Sequence, residues 1–342
     1  MTSDPMISIL IRVRDEARAL DDVLRRLRQQ VIDARAEVVV LDNESVDDSG
    51  AVAQRFGARV FSIPRHLFGY GRALNLGIEL CRGEIIVLLS AHAFPGSQDW
   101  LGDLVEPLRY DGEVGAVFCR QIPMADVSRL ERHRFGVFPA ADYILDRESF
   151  VAQCEAGRHP YEVILFSNSA SAIRRSIALK FPFRDLPASE DRAFALDYIM
   201  AGGKIAYLQQ PWVWYDKPRT WKSYYQVGYA VEASKRLIHE LATSYADIPS
   251  GIRGRTAPRL ANAVLVGPVI AKQLVFALRE PSGLRRRTAL AALRRTGGTL
   301  GAASGSLRWR RHLRSLSRDE TEAQRLRENC REMTTEPTTL PD

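Results

Sequence analysis

Side chains that could bind and activate a ligand stand directly after the apolar runs in the first hundred residues of this chain. Guanidinium groups bind diphosphates through paired charge-assisted hydrogen bonds, carboxylates accept hydrogen bonds from N–H groups, and imidazole binds metals. Together these side-chain types indicate a site for an anionic, nucleotide-like ligand. The residues concerned are Arg12, Glu16, Asp42, Arg72, Asn75, Ser90, Ala91 and His92.

The elements that must position these residues follow a βαβ pattern. Between the runs, apolar residues recur at helical spacing, as they do from Leu20 to Val31. This alternation predicts an α/β fold, a Rossmann-like and mostly parallel sheet flanked by helices, in which ligands bind at the carboxyl ends of the strands. The runs read as strands cover residues 7–11, 37–41, 59–63 and 84–89.

Further strands are expected at 114–119, 163–170 and 204–208, with a helix from the N-cap Ser189 to Met200. Residues 124–160 lack periodicity, which predicts either a disordered segment or a binding loop. After Trp221 only helical patterns occur, at about 221–245, 256–279 and 283–296. The organisation predicts a sheet domain at 1–216 with halves 1–120 and 121–216, a C-terminal helical extension at 217–316 and a disordered tail at 317–342.

Composition limits the classes of protein to which this chain can belong. Of the 342 residues 46% are hydrophobic, but the most apolar long window, 257–278, is interrupted by polar and charged residues and predicts no transmembrane helix. No N-terminal signal peptide is visible, and four cysteines without metal-ligand spacing predict reduced thiols in the cytoplasm.

The charge is distributed unevenly along the chain. Residues 252–318 carry 15 Lys or Arg and one acidic residue, so this segment is +14 and the rest of the chain −7. Such a block favours an anionic partner, for which a membrane surface fits best because no nucleic-acid motif is present. Solvated helix faces rich in Arg are the alternative.

Taken together, these blocks resemble the family 2 glycosyltransferases of the GT-A fold, with features of the rhamnosyltransferase-like members. The resemblance covers roughly residues 6–216. It implies a GT-A fold and the inverting transfer of a sugar from a nucleoside diphosphate to an acceptor hydroxyl, usually with a divalent metal. The blocks that carry it are Asp42-Asn43-Glu44-Ser45, Gly69-Tyr70-Gly71-Arg72-Ala73-Leu74-Asn75, Ser90-Ala91-His92 and Glu190-Asp191.

The resemblance assigns donor-binding roles. Asp42 is implied to accept a hydrogen bond from the base, which favours UDP or dTDP sugars. Arg12 and Glu16, in Arg-Val-Arg-Asp-Glu where the family usually has Pro-Thr-Tyr-Asn-Glu, would line the nucleoside pocket. Arg72 and Asn75 would bind on the diphosphate side. For Asp42 and Glu16, capping of the next helix stays open.

Ser90-Ala91-His92 stands where the family has Asp-x-Asp, whose last carboxylate holds Mn²⁺ or Mg²⁺ on the donor. Downstream, Asp216 ends a block that in related sequences is His-x-His. We expect His92 and Asp216 to supply one imidazole and one carboxylate to a metal, with Ser90 and Ala91 beside the donor. In the alternative no metal is needed, and His92 or basic residues offset the diphosphate charge.

Glu190-Asp191 matches the acidic pair of the family, so Asp191 is the expected general base and Glu190 would contact the acceptor or position Asp191. Acids that only serve the helix dipole are the alternative. Gln121 and Asn168 are expected to face the sugar or acceptor, although structural turns would explain them almost as well.

These assignments predict a glycosyltransferase of surface polysaccharide or glycolipid synthesis, acting on a glycan or lipid-linked acceptor. We expect it in the cytoplasm, peripheral on the inner face of the membrane through residues 252–318, with no nucleic-acid partner. The alternative is a non-catalytic nucleotide-sugar-binding protein with a degenerate metal motif.

Overall fold

A computed structural model describes residues 7–124, 138–186, 188–216 and 234–248. Nine strands within these residues form one mixed sheet. They are β1 (Ile7–Val13), β2 (Ala36–Asp42), β3 (Arg59–Ser62), β4 (Ile85–Ser90), β5 (Ala93–Pro95), β6 (Val114–Pro123), β7 (Tyr143–Leu145), β8 (Ala170–Arg174) and β9 (Lys204–Tyr215). Their order is β3-β2-β1-β4-β8-β6-β9-β5, with β7 paired to β9.

Helices cover the sheet and connect its strands. A 3₁₀ turn, Arg65–Leu67, precedes the third helix, and a further helical stretch covers residues 234–243. The other helices are α1 (Ala17–Arg28), α2 (Ser49–Arg55), α3 (Tyr70–Leu80), α4 (Trp100–Tyr110), α5 (Arg147–Glu155), α6 (Pro160–Val163), α7 (Arg175–Lys180) and α8 (Glu190–Met200).

The first half of the sheet is parallel, and the helices that connect its strands bury them on both faces. Along β1, Leu10 packs into one core, whereas Ile9 and Ile11 pack into the core on the opposite face. Alternate side chains of a strand point to opposite faces, so a strand covered by helices on both sides must be apolar throughout. The expected α/β sheet flanked by helices is confirmed.

The second half of the sheet changes direction at β8. This strand runs antiparallel to both β4 and β6, while β6 and β9 are parallel to each other. The carboxyl end of β4 therefore lies beside the amino end of β8, where the chain arrives from residues 164–169. The strand β9 is longer than the expected 204–208 and continues to Tyr215, where it pairs with β5.

Two expectations for the middle of the chain are wrong. The apolar residues 163–170 do not form one strand: α6 ends at Val163, and the strand β8 begins only at Ala170. Their hydrophobicity instead reflects burial, since Ile164 and Phe166 lie in the core. The segment 124–160 is also more regular than predicted, because it contains β7 and the helix α5.

The helix α5 begins with a capping box that the sequence analysis missed. The Asp146 carboxylate accepts a hydrogen bond from the Ser149 backbone N–H, and the Ser149 hydroxyl pairs with the Asp146 backbone N–H. The first-turn N–H groups are thereby satisfied. A serine at the third helical position, in place of the usual Glu or Gln, concealed this signal.

Residues 234–248 pack against the sheet domain. Ile238, Ala242 and Ile248 are buried in the same core as the helix α8, and the ring of His239 stacks on that of His159 at 5.2 Å between centroids. Residues 249–342, including the basic block and the expected tail, lie outside the described residues, as do residues 217–233.

None of the helices in the described ranges is long and apolar enough to cross a membrane. Cys81, Cys119 and Cys154 are buried free thiols, as the sequence predicts, and Cys330 lies outside the described residues.

The docking of residues 234–248 can be tested by core truncation. Ile238 is fully buried, so Ile238→Ala should lower the free energy of unfolding by about 2–5 kcal/mol in urea denaturation. Val31, which is 64% exposed, gives the control Val31→Ala, expected within about 0.5 kcal/mol of wild type. Equal effects of the two substitutions would show that this helix is not part of the core.

Candidate functional site

The parallel pairing brings the expected donor-binding side chains of three strands to one edge of the sheet. In the register, Arg12 of β1 lies beside Ser90 of β4, and Val13 lies beside Asp42 of β2. Asp42 and Ser90 are half-buried and end their strands, whereas Ala91 is buried. These strand ends form the kind of crevice in which open α/β sheets bind ligands.

The loop after β2 is held in shape before any ligand arrives. The Oδ1 atom of Asp42 accepts hydrogen bonds from the Ser45 backbone N–H at 3.0 Å and from the Ser45 hydroxyl. Asp15, after β1, accepts from the Val46 N–H at 2.7 Å and has a positive φ of 53°. Asp42 thus holds its own turn through Oδ1, and Asp15 ties the loop to the end of β1.

His92 is the centre of a polar network that the sequence analysis did not foresee. Its Nδ1 atom lies 2.7 Å from a Glu16 carboxylate oxygen, and its Nε2 atom lies 3.1 Å from the Tyr215 hydroxyl. The imidazole is largely buried and meets the Tyr215 ring edge-on. Glu16, expected in the nucleoside pocket, therefore lies against His92.

Asp216 lies directly across from His92. Its backbone N–H donates to the His92 carbonyl oxygen at 3.1 Å, extending the ladder in which Ala93 pairs with Tyr215. The Asp216 residue is exposed, whereas His92 is buried. The long strand β9 thus places the Asp216 backbone beside that of His92, just after the end of β4.

Arg12 connects the donor edge to the acidic pair. Its guanidinium donates to the Tyr70 carbonyl oxygen at 2.8 Å and lies 3.7 Å from a carboxylate oxygen of Glu190. The same guanidinium lies 5.5 Å from the centroid of the Tyr70 ring. One side chain therefore joins β1, the start of α3 and the start of α8.

The two acids at the start of α8 are held by the turn before β8. The side-chain amide of Asn168 donates a hydrogen bond to the Glu190 carboxylate at 3.4 Å. The backbone N–H of Asn168 hydrogen-bonds the Asp191 carboxylate. The Oδ1 atom of Asn168 is buried and has no hydrogen-bond partner among the described residues. Next to it, the Gln121 amide donates to the Ser167 hydroxyl at 2.6 Å.

Burial makes both acids reluctant to ionise. Burial and the adjacent Asp191 charge raise the pKa of Glu190 to about 7, although Arg12 opposes this. Burial also raises the pKa of Asp191, against the charge of Arg192 and hydrogen bonds from the backbone N–H groups of Arg192 and Asn168. Paired carboxyl groups with raised pKa values can take up a proton near neutral pH.

Ser189 occupies the N-cap position of α8, as predicted, but its side chain does not cap the helix. Ser189 has a left-handed backbone with φ 65°, makes no capping hydrogen bond, and pairs its hydroxyl with that of Tyr161 at 3.0 Å. Non-glycine residues adopt this conformation at a cost, so the surrounding contacts must impose it.

The contacts around the turn come from residues that carried no sequence signal. The guanidinium of Arg192 donates to the Tyr161 carbonyl oxygen at 2.5 Å and lies over the Tyr161 ring. The Ser234 hydroxyl donates to the Ala188 carbonyl oxygen. Tyr161 and Ser234 are far from Ser189 in sequence, and no local motif indicates either contact.

Arg72 and Asn75, expected on the diphosphate side of the donor, both contact protein groups. Arg72 is largely buried and pairs with Asp185 at 2.7 Å, while Asn75 hydrogen-bonds the backbone of Phe183. Both side chains are thus directed at the loop between α7 and α8.

The side chains near His92 are of the chemical types that bind a divalent metal ion. A ligating histidine usually donates its second ring N–H to a carboxylate, and Glu16 at Nδ1 provides that partner while Nε2 faces Tyr215. Within the described ranges no three His, Cys, Asp or Glu side chains are grouped to hold a metal. Two protein ligands, His92 and Asp216, would therefore have to be completed by donor and water oxygens.

Known proteins support the same architecture. The structure of a mannosyltransferase from Pyrobaculum calidifontis, solved with GDP-Man and Mn²⁺, is similar with a TM-score of 0.55 at 20% identity, covering 90% of this chain and 87% of that one. Glucosyl-3-phosphoglycerate synthase from Mycobacterium tuberculosis, in complex with phosphoglyceric acid, gives 0.50 at 18% identity over 69% and 80% of the two chains. At these identities the likeness shows the fold, which is GT-A.

Sequence comparison identifies relatives over shorter stretches. The O-antigen chain rhamnosyltransferase WbaN of Salmonella anatum is 27% identical over 177 residues, 50% of this chain and 54% of that protein. An undecaprenyl-phosphate 4-deoxy-4-formamido-L-arabinose transferase of Pseudomonas syringae is 34% identical over 92 residues, 25% and 27% of the two chains. The chain thus spans about half or less of these curated relatives.

The family itself follows from a match over half of the chain. The model of glycosyl transferase family 2 matches residues 8–179, which include the donor edge and the turn at Asn168. This chain belongs to glycosyl transferase family 2.

Proposed function

We propose that this protein is an inverting glycosyltransferase that moves a sugar from a nucleoside diphosphate to an acceptor hydroxyl. The observation that carries the proposal is the acidic pair of buried Glu190 and half-buried Asp191 beside the donor edge, which Arg12 joins at 3.7 Å from Glu190. A nucleotide site and a proton acceptor at one crevice are what sugar transfer requires.

The donor would bind across the ends of β1, β2 and β4. Asp42 would accept the N–H of a uracil or thymine base, which favours UDP or dTDP sugars. Its half-buried carboxylate is kept in place by Ser45, so little ordering remains to be done on binding. Ser90 and Ala91 end the neighbouring strand and would border the diphosphate.

The transfer would be a single displacement. The acceptor oxygen attacks the anomeric carbon, the bond to the diphosphate oxygen breaks with its electron pair, and the hydroxyl proton passes to the Asp191 carboxylate. The backbone N–H of Asn168 hydrogen-bonds the Asp191 carboxylate and so favours the charged form that accepts the proton. The unpaired Oδ1 of Asn168 would accept a hydrogen bond from a sugar or acceptor hydroxyl.

A divalent cation, Mn²⁺ or Mg²⁺, held by His92 and Asp216, would when bound offset the charge on the departing diphosphate. Glu16 would keep the His92 proton on Nδ1, and Nε2 would bind the metal in place of its hydrogen bond with the Tyr215 hydroxyl. Arg12 adds a fixed positive charge at the same edge, between the Tyr70 carbonyl and Glu190.

The acceptor is proposed to be a glycan or lipid-linked saccharide in surface polysaccharide or glycolipid synthesis. The names of the relatives, an O-antigen chain rhamnosyltransferase and an undecaprenyl-phosphate sugar transferase, support this class. The basic residues 252–318 would attach the protein to the anionic inner face of the cell membrane from the cytoplasm.

If Asp191 is the general base, its substitution should slow the transfer step without weakening nucleotide binding. Asp191→Asn should lower kcat by about 10²–10⁴-fold with the dissociation constant of the nucleoside diphosphate unchanged. Asp197→Asn on the same helix, which removes only the ion pair to Arg184, is the matched control. Full turnover by Asp191→Asn would favour another base, and no transfer by wild type with any donor would favour a non-catalytic sugar-nucleotide-binding protein.

The raised pKa values predict the pH dependence of kcat. Since the base must be deprotonated, kcat should fall with falling pH at a value above the ordinary carboxyl range. Arg12→Gln removes a positive charge that lowers the pKa of both acids, so it should move this acid limb to higher pH at saturating donor. Asp103→Asn, at a remote carboxyl whose pKa burial also raises, should leave the limb in place. A limb that stays in place or moves to lower pH in Arg12→Gln would contradict this electrostatic coupling.

The metal assignment predicts distinct Mn²⁺ responses. His92→Ala and Asp216→Ala should abolish stimulation of transfer by Mn²⁺, and Glu16→Gln should raise the half-saturating Mn²⁺ concentration by about 10–100-fold. Tyr215→Phe keeps the ring against His92 but removes the hydroxyl, so it should retain stimulation. Undiminished stimulation in His92→Ala, or wild-type transfer unaffected by EDTA, would favour a mechanism without a metal.

A further inference from the structure

The loop between α7 and α8, residues 181–189, leads directly into the acidic pair and is fastened to the first turns of α3. Arg72 donates to the Leu67 carbonyl oxygen at 3.0 Å and to the Asp185 carboxylate at 2.7 Å. Arg72 is 9% exposed, so this ion pair is screened little by solvent. Arg72 therefore links the segment before α3, at Leu67, to the loop, at Asp185.

Asn75 fastens the same loop by its backbone. Its Nδ2 atom donates to the Phe183 carbonyl oxygen at 2.8 Å, and the Phe183 N–H donates to its Oδ1 atom at 2.8 Å. This paired arrangement fixes the Asn75 amide and satisfies both backbone groups of Phe183, whose ring is buried in the core.

Two glycines allow α3 and the loop to approach this closely. A Cβ atom on Gly69 would lie 2.0 Å from an Asp185 carboxylate oxygen, and one on Gly71 would lie 2.2 Å from the Arg184 carbonyl oxygen. A side chain at Gly71 would displace the loop backbone, and one at Gly69 would displace the Asp185 carboxylate. The Gly69-Tyr70-Gly71 block is thereby explained by contact with this loop.

The downstream side of the loop is held independently. Ser234 donates to the Ala188 carbonyl oxygen, and the Tyr161 hydroxyl pairs with Ser189 at 3.0 Å. The turn that enters α8 therefore has anchors on both sides, and Glu190 itself contacts Arg12. A residue with the strained φ of Ser189 keeps its conformation only when such contacts impose it.

We propose that Arg72, Asn75 and Asp185 form a clasp that positions Glu190 and Asp191, and that Arg72 acts on the reaction through this loop. The proposal rests on the assignment of the acidic pair as the proton acceptor. Because the clasp acts on the base, its loss should lower kcat while donor binding stays intact. An arginine that binds diphosphate would instead lose donor affinity on substitution.

The test compares Asp185→Asn and Arg72→Lys with Arg184→Gln, which removes the neighbouring ion pair to Asp197 and leaves the clasp intact. We expect kcat to fall on the order of 10–100-fold in the two clasp variants, because small displacements of a base are costly. The dissociation constant of the nucleoside diphosphate should stay within about 2-fold in all three, and Arg184→Gln should keep kcat. A weakened nucleotide affinity in Arg72→Lys with kcat retained would overturn the clasp, as would an unchanged kcat in Asp185→Asn.

A second readout separates this proposal from the proposed function. Hydrogen–deuterium exchange of the full chain should increase in peptides covering 181–191 for both clasp variants, with β1 protected as in wild type and no increase in Arg184→Gln. If wild type transfers no sugar, the proposed function fails while this exchange pattern still supports the clasp. Exchange at 181–191 equal to wild type in Asp185→Asn and Arg72→Lys would refute it.

Discussion

The site depends on the in-register parallel pairing of β2, β1 and β4. This pairing sets Val13 beside Asp42 and Arg12 beside Ser90, so the strand ends meet at one edge. A slip of one residue would turn every side chain of a strand to the other face, so that Leu10 would have to fit the core that now holds Ile9 and Ile11. Core packing on both faces of the sheet therefore fixes the geometry of the donor edge.

The site also depends on two neighbouring carboxyl groups, Glu190 and Asp191, that are largely removed from solvent. Isolated ionised carboxylates are costly to bury, and here Arg12, the Asn168 turn and the Arg192 backbone reduce that cost. The antiparallel insertion of β8 next to β4 delivers the Asn168 turn to this position. The change of strand direction thus joins the donor edge to the acidic pair in one crevice.

The sequence predicted the parallel half of the fold well, because strands buried on both faces leave continuous apolar runs such as that of β4. It failed where tertiary contacts decide. Ile164 and Phe166 are apolar because they are buried in an irregular segment, and Ser189 is held in a left-handed conformation by Tyr161 rather than capping its helix. The pairs Glu16–His92 and Arg72–Asp185 join residues far apart in sequence, so no local pattern could reveal them.

The most direct test of the central claim, that the ends of β1, β2 and β4 form a nucleoside diphosphate site, is thermal unfolding with UDP, dTDP and GDP in the presence of Mn²⁺. The account predicts stabilisation by UDP or dTDP, about 2.7 kcal/mol when the ligand is at about 100 times its dissociation constant. The corresponding nucleosides should stabilise less at equal concentration, because they lack the diphosphate. An unfolding temperature unchanged by all three nucleotides would contradict the account.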